Sequence, residues 1–244
     1  MKPTTSYMIC ATPRSGSTLL CEALKNTGFA GYPDEYFGPM HVARWNEQWH
    51  TRSDREYLER ALAQGTGDNG IWGVKVMRLY WCNLMEQLAR AVGSPGMTES
   101  ELLHACFPNL HYIWMTRRDK VRQAISWCKF VQGAAWYWED EQPQELPGLE
   151  FRLEVVREFI TQTAIHETAW LEFFRELGVQ PYTVVYEDLV GAYEETAKDI
   201  LHYLGIAYPE PLVLEPRRMK RQADALSDEW VQRVLAMYRH TEKM

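Results

Sequence analysis

No apolar run in these 244 residues approaches the roughly 20 that a helix needs to cross a bilayer, so no membrane span is expected. The opening residues MKPTTSYMIC lack a cleavage signature, and the expectation is a cytoplasmic protein. Positive charge is in deficit, with 26 Lys and Arg against 33 Asp and Glu and a net charge of −7. A general nucleic-acid binder would carry a basic stripe, so nucleic acid is not an expected partner, and any anion must be held by cations gathered locally. Cysteine is scarce. Its five copies, Cys10, Cys21, Cys82, Cys106 and Cys128, show no C-x-x-C spacing and lie in apolar contexts, which argues against a disulfide framework or a metal site and for buried small side chains.

Aromatic residues are abundant, with ten Trp and thirteen Tyr. Most belong in a core, although aromatic planes also stack on sugars and nucleosides. Residues 1–244, with 46% apolar content, suit one α/β domain.

The chain is organised around residues 7–28, YMICATPRSGSTLLCEALKNTG. Residues 7–11 are an apolar run of strand length, and Leu19, Leu20, Ala23 and Leu24 recur at helical spacing up to Gly28. Between them Arg14, Ser15, Gly16, Ser17 and Thr18 bring a guanidinium, three hydroxyls and a glycine to the free N–H groups of a helix start. That is an anion cradle, and it exceeds what an N-cap by Ser17 or Thr18 requires. The glycine and lysine of the nucleoside-triphosphatase pattern G-x-x-x-x-G-K-[ST] are missing.

Further strands are expected at 71–77, 110–116 and 181–186, and helices at 53–63, 80–92, 98–105, 149–178 and 190–204. Ser53 with Glu56 and Thr98 with Glu101 form capping-box patterns. Glu187 and Asp188 read as caps. Residues 29–39 form a loop whose carboxylates are Asp34 and Glu35. The stretch holding His41, Arg44, Trp45, Trp49, His50 and Arg52 reads as irregular; it is a candidate lining for an acceptor pocket, with His41 and His50 as reserve bases. Arg117, Arg118, Lys120 and Arg122 crowd a helix start against one carboxylate, Asp119, which oppose the helix dipole and call for an anion. Trp136 and Trp138 suit stacking on an acceptor or packing under the Pro- and Glu-rich stretch that follows.

P-R-S-G-S-T-L-L resembles the 5′-phosphosulfate loop of sulfotransferases that use 3′-phosphoadenosine 5′-phosphosulfate (PAPS). With T-G-F-A-G and P-D-E-Y-F after it, then W-G-V-K, the basic strand end leading to Q-A-I-S, and late R-Q-A-D and S-D-E-W, the chain resembles the bacterial trehalose 2-sulfotransferase family along its whole length. The resemblance implies a P-loop-like three-layer α/β fold, a mostly parallel central sheet flanked by helices. It implies sulfuryl transfer from PAPS, without a metal, to a hydroxyl of a small-molecule saccharide or a glycolipid, trehalose being one candidate, and it carries a homodimer as an expectation. Glu35 is implied as general base and Lys75 as the cation near the leaving phosphate. Residues 14–18 would hold the 5′-phosphosulfate, and Arg117 or Arg118 with Ser126 and Arg221 the 3′-phosphate, leaving 3′,5′-adenosine bisphosphate as product. The rival readings are a P-loop small-molecule kinase and a non-catalytic nucleotide-binding protein.

Overall fold

The computed structural model describes residues 2–94, 96–133, 148–219 and 224–241. Strands β1 (Thr5–Ala11), β2 (Ile71–Met77), β3 (Leu110–Thr116) and β4 (Tyr182–Val185) form a parallel sheet in the order β2-β1-β3-β4. The first two strands read as nearly unbroken apolar runs because helices cover both faces of the sheet. Tyr7, Ile9 and Ala11 of β1 face a core built with α1 (Ser17–Asn26) and α9 (Tyr193–Tyr203). Met8 and Cys10 face the opposite core, with α2 (Pro39–Trp49), α3 (Asp54–Gly65), α4 (Trp81–Val92), α5 (Glu99–Cys106) and α7 (Leu153–Leu177). A smaller cluster joins α6 (Lys120–Val131) and the first half of α7 to α10 (Ala225–Thr241). The three-layer α/β expectation and its parallel sheet are what the chain adopts.

Strand order positions the site. The chain leaves β1 for β2 on one side and then crosses to β3 on the other, so a crevice opens at the carboxyl ends of β1 and β3, where open α/β sheets bind ligands.

The structure departs from the expectations at several places. The stretch read as irregular contains α2, which starts with Pro39 in its first turn. Trp45 and Trp49 stack on each other at 4.6 Å, with Tyr36 5.6 Å from Trp45 and Tyr57 5.3 Å from Trp49. These indoles pack against one another and their aromatic neighbours, Trp45 buried and Trp49 half-buried. A mostly polar helix with a thin apolar stripe leaves a weak periodic signal. The helix expected over 190–204 is two: α8 (Tyr186–Gly191) follows β4 directly, and α9 begins after Ala192. Cys82 is exposed on α4, whereas the other cysteines are buried. Trp136 and Trp138 lie outside the described residues.

Gly73 shows how tightly β2 meets β1. A Cβ there would stand 2.3 Å from Tyr7 Cζ and 2.8 Å from its Cε1, and the Tyr7 hydroxyl donates to Ala30 O at 2.8 Å. Overpacking of this kind costs about 1–3 kcal/mol. We expect Gly73→Ala to lower the free energy of urea unfolding by about 2 kcal/mol. Gly191→Ala, whose added carbon meets nothing within 4 Å, should stay within about 0.5 kcal/mol of the parent.

Candidate active site

The loop after β1 turns through two left-handed residues, Arg14 at φ 62° and Gly16 at φ 95°. Gly16 is the N-cap of α1 and provides no side chain to it, so the first-turn N–H groups, at Ser17 and Thr18, have no side-chain cap at that position. A Cβ at Gly16 would lie 2.3 Å from Tyr186 Cδ2, so close approach as well as positive φ requires glycine. The Ser15 hydroxyl is buried and has no hydrogen-bond partner among the described residues. An uncapped helix start beside an unsatisfied buried hydroxyl suits an anion with several oxygens.

Arg14 meets α6. Its Nε donates to Ser126 Oγ at 2.9 Å, and Arg117 Nη1 donates to the Arg14 carbonyl at 3.4 Å. Arg117 also lies over the Tyr186 ring, 4.6 Å from its centroid. Burial first, and then the Arg117 charge, pull the Arg14 pKa down to about 10. Two like charges held together in a partly buried crevice favour an anion between or beside them.

Arg118 turns the other way. Its exposed guanidinium makes paired hydrogen bonds to Asp188 at 2.8 and 2.5 Å. Lys120 pairs with Glu167 at 2.6 Å and Arg122 with Asp228 at 2.7 Å. The argument that four cations with one carboxylate call for an anion is therefore weakened, because tertiary folding brings carboxylates from α7, α8 and α10, and Arg117 Nε itself stands 3.8 Å from Glu187 Oε1. Glu187, expected as a cap of its own helix, instead accepts the N–H groups of Arg118 at 3.0 Å and Asp119 at 3.3 Å, fixing the turn between β3 and α6.

Gln123 is a residue that sequence reasoning did not single out. It is fully buried and its Nε2 donates to Thr12 Oγ1 at 2.9 Å and Pro13 O at 2.8 Å, tying the loop to α6. The available signal was its place in Q-A-I-S, three residues before Ser126.

The second half of the site is built at the edge of the sheet. Asp34 lies alongside Val74 as a parallel bridge, and Lys75 N donates to Asp34 O at 2.9 Å. This docks the 29–39 loop on β2 and sets Glu35 beside Lys75. Lys75 Nζ is 3.1 Å from Glu35 Oε2 and donates to Thr18 Oγ1 at 3.3 Å. Both residues are only 6% exposed. Burial pulls the Lys75 pKa down, but the Glu35 carboxylate more than offsets it and leaves the value above the ordinary lysine range. His41 Nε2 stands 3.7 Å from the same carboxylate oxygen. Burial, opposed by Glu35, holds the His41 pKa below its ordinary value. His50 is the C-cap of α2.

Arg221 lies outside the described residues. On one side of it, the N–H groups of Arg218 and Met219 donate to the buried Glu22 of α1 at 2.5 and 3.1 Å. On the other, Asp224 accepts from Lys129 of α6 at 2.7 Å. Among the described residues no cluster of His, Cys, Asp and Glu is arranged to hold a metal ion, and no helix is long and apolar enough to cross a membrane.

The parallel α/β sheet thus brings an Arg- and hydroxyl-bearing loop to its switch point, with a buried carboxylate–lysine pair alongside. The chain belongs to the Stf0 sulphotransferase family, whose model matches residues 6–239. It is 29% identical over 257 residues to a trehalose 2-sulfotransferase of Mycolicibacterium smegmatis, covering 94% of each chain. With a trehalose 2-sulfotransferase of Mycobacterium tuberculosis it shares 26% identity over 255 residues, again covering 94% of each. Among solved structures, a sulfotransferase from Alicyclobacillus acidocaldarius superposes with a TM-score of 0.46 at 16% identity, over 97% of this chain and 96% of that one.

The buried pair can be tested by itself. Removing one partner leaves an uncompensated buried charge, which costs about 3–5 kcal/mol. Lys75→Met should destabilise the protein by about that amount in urea titration, and adding Glu35→Gln should recover at least about half of the loss.

Proposed function

We propose that this protein transfers the sulfuryl group of PAPS to a hydroxyl of a saccharide or glycolipid, a trehalose-like sugar among the candidates. The observation that carries the reading is the meeting of Arg14 with Ser126 at 2.9 Å across 112 residues of chain, with Arg117 against the same loop. A donor with phosphate groups at two positions needs cations and hydroxyls from separate segments at one crevice. The relatives' names support a saccharide acceptor.

Ser15, the N–H groups of residues 16–18 and Arg14 are assigned to the 5′-phosphosulfate. Ser126 and a strand-end arginine are assigned to the 3′-phosphate, with Arg221 as a further contributor. Arg117 faces the loop directly. Arg118 would have to leave Asp188, which costs little because an exposed ion pair is worth about 0–1 kcal/mol.

When bound, the donor supplies a sulfuryl group activated by its phosphate leaving group. Glu35 accepts the proton of the acceptor hydroxyl while the new O–S bond forms, since an un-ionised hydroxyl is a poor nucleophile. Lys75, between Glu35 and Thr18, offsets the negative charge left on the phosphate oxygen as the old S–O bond breaks. Positive charge is thus supplied by side chains.

The test is transfer of radiolabelled sulfate from PAPS across a panel of sugars and glycolipids. Glu35→Gln should lower kcat by about 10²- to 10⁴-fold, while the Kd for 3′,5′-adenosine bisphosphate moves less than about threefold. Near-parental turnover in folded Glu35→Gln would remove the base assignment and leave the donor site standing. Ser126→Ala should weaken bisphosphate binding, and comparing Arg117→Met with Arg118→Met identifies the arginine that holds the 3′-phosphate.

A further inference from the structure

A small cavity lies against Glu35. Its volume is about 10 Å³, the least room that admits one water-sized group, and Glu35, Lys75, Gly38 and Tyr80 stand on it. The rest of its wall is apolar, from Phe37, Val76, Met77 and Leu84. The polar side chains available to an atom entering here are therefore those of Glu35, Lys75 and Tyr80.

The two carboxylate oxygens of Glu35 have different surroundings. Lys75 Nζ and His41 Nε2 both address Oε2, at 3.1 and 3.7 Å. Oε1 faces Gly38, where a Cβ would stand 2.7 Å from that oxygen and 3.2 Å from His41 Cδ2. Backbone geometry does not call for glycine at this position, since φ −70° and ψ 140° are open to any residue. Helix capping does not call for it either. Gly38 is the N-cap of α2, and a Ser, Asp or Asn there would accept an N–H bond that glycine leaves unmade. What a side chain at 38 would remove is the space next to Oε1.

Tyr80 supplies a hydroxyl on the cavity wall. It ends the 3-10 turn Arg78–Tyr80 after β2, is the N-cap of α4 and is half-buried, so it borders both the cavity and solvent. Burial, then the Glu35 charge, raise the Tyr80 pKa, which keeps the phenol protonated and able to donate. The wall also sets the ligand class. Apolar surface and a carboxylate both disfavour an anionic group, whereas one neutral hydroxyl finds an acceptor for its proton in Glu35.

We infer that Oε1 is the proton-accepting oxygen of Glu35 and that the cavity between Gly38 and Tyr80 is the slot through which one hydroxyl of a neutral saccharide reaches it. Gly38 keeps the slot open, and the Tyr80 phenol hydrogen-bonds the acceptor at its mouth. The hydroxyl proton passes to Oε1 while a lone pair of the hydroxyl oxygen forms the bond to sulfur, and the bond from sulfur to the phosphate oxygen breaks with its electron pair left on that oxygen. This rests on the sulfotransferase reading above and names the residues that admit the acceptor.

The experiment compares Gly38→Ala with Tyr80→Phe. The added methyl meets the tips of side chains and no backbone atom, so Gly38→Ala is expected to fold, with circular dichroism as the check. Acceptor kinetics are measured with trehalose, glucose and an alkyl glucoside as probes, and the Kd of 3′,5′-adenosine bisphosphate is measured in parallel by calorimetry. Gly38→Ala should lower acceptor kcat/KM at least about tenfold, because it displaces the base and narrows the slot. Tyr80→Phe should raise acceptor KM about three- to tenfold with kcat within about twofold of the parent. The bisphosphate Kd should stay within about twofold in both variants, since the slot lies on the acceptor side of Glu35. Acceptor kcat/KM within twofold of the parent in Gly38→Ala overturns the inference, and so does a parallel loss of bisphosphate binding, which marks a merely structural role. If Gly38→Ala does not fold, Tyr80→Phe decides by its own KM. Parent protein that binds the bisphosphate but neither binds nor sulfates any of the sugars also overturns the slot. Parent protein that fails to bind the bisphosphate overturns the donor reading, and the slot falls with it.

Discussion

The structure depends on the position of β1. It is paired on both sides, to β2 and β3, and every residue from Ser6 to Ala11 is buried. Because its neighbours take the chain in opposite directions across the sheet, the loop that follows opens at the switch point of the strand order. Contacts from other elements hold that loop in place. Gln123 binds Thr12 and Pro13 from α6, and Tyr186 fills the space beside Gly16. The left-handed turn at Arg14 and Gly16 persists because packing on both sides determines it.

Charge is distributed around this crevice by burial. At the exposed end of β3 the cations pair with carboxylates from other helices, and such pairs contribute little to stability. Inside, Arg14 and Arg117 remain close to each other, and Lys75 lies between Thr18 and the Glu35 carboxylate oxygen that His41 also faces. Cations inside the crevice have carboxylates too, Lys75 at 3.1 Å from Glu35 and Arg117 at 3.8 Å from Glu187, but there the cations are shielded from water. A buried ion pair such as Glu35–Lys75 often brings no net stability over an apolar pair of equal size. Its retention in the interior fits a chemical role.

Much of the fold was legible. The bounds of β2 and β3 agree with the apolar runs read from sequence, because a strand buried on both faces needs continuous hydrophobicity, which needs no knowledge of its partners. The capping box at Thr98 and Glu101 formed as its spacing indicates. The helix over Pro39–Trp49 was not legible, since its apolar stripe is thin and its partners, Tyr36 and Tyr57, lie on other elements. Within the candidate site, the loop residues 14–18 and the neighbourhood of Glu35 could be read as an anion cradle and a candidate base. Gln123 could be read only as part of Q-A-I-S, because the hydrogen bonds that give it a role come from a carbonyl and a hydroxyl of another segment.

By itself the sequence determined the buried strands, the glycine-and-hydroxyl loop and the cations available, because these are properties of local composition and spacing. Which cations face the crevice was decided only by tertiary structure. Arg117 and Arg118 are adjacent and chemically identical, and what separates them is Asp188, 70 residues away, reaching one and not the other. A long-range carboxylate partner is set by how helices pack, and no local pattern encodes it.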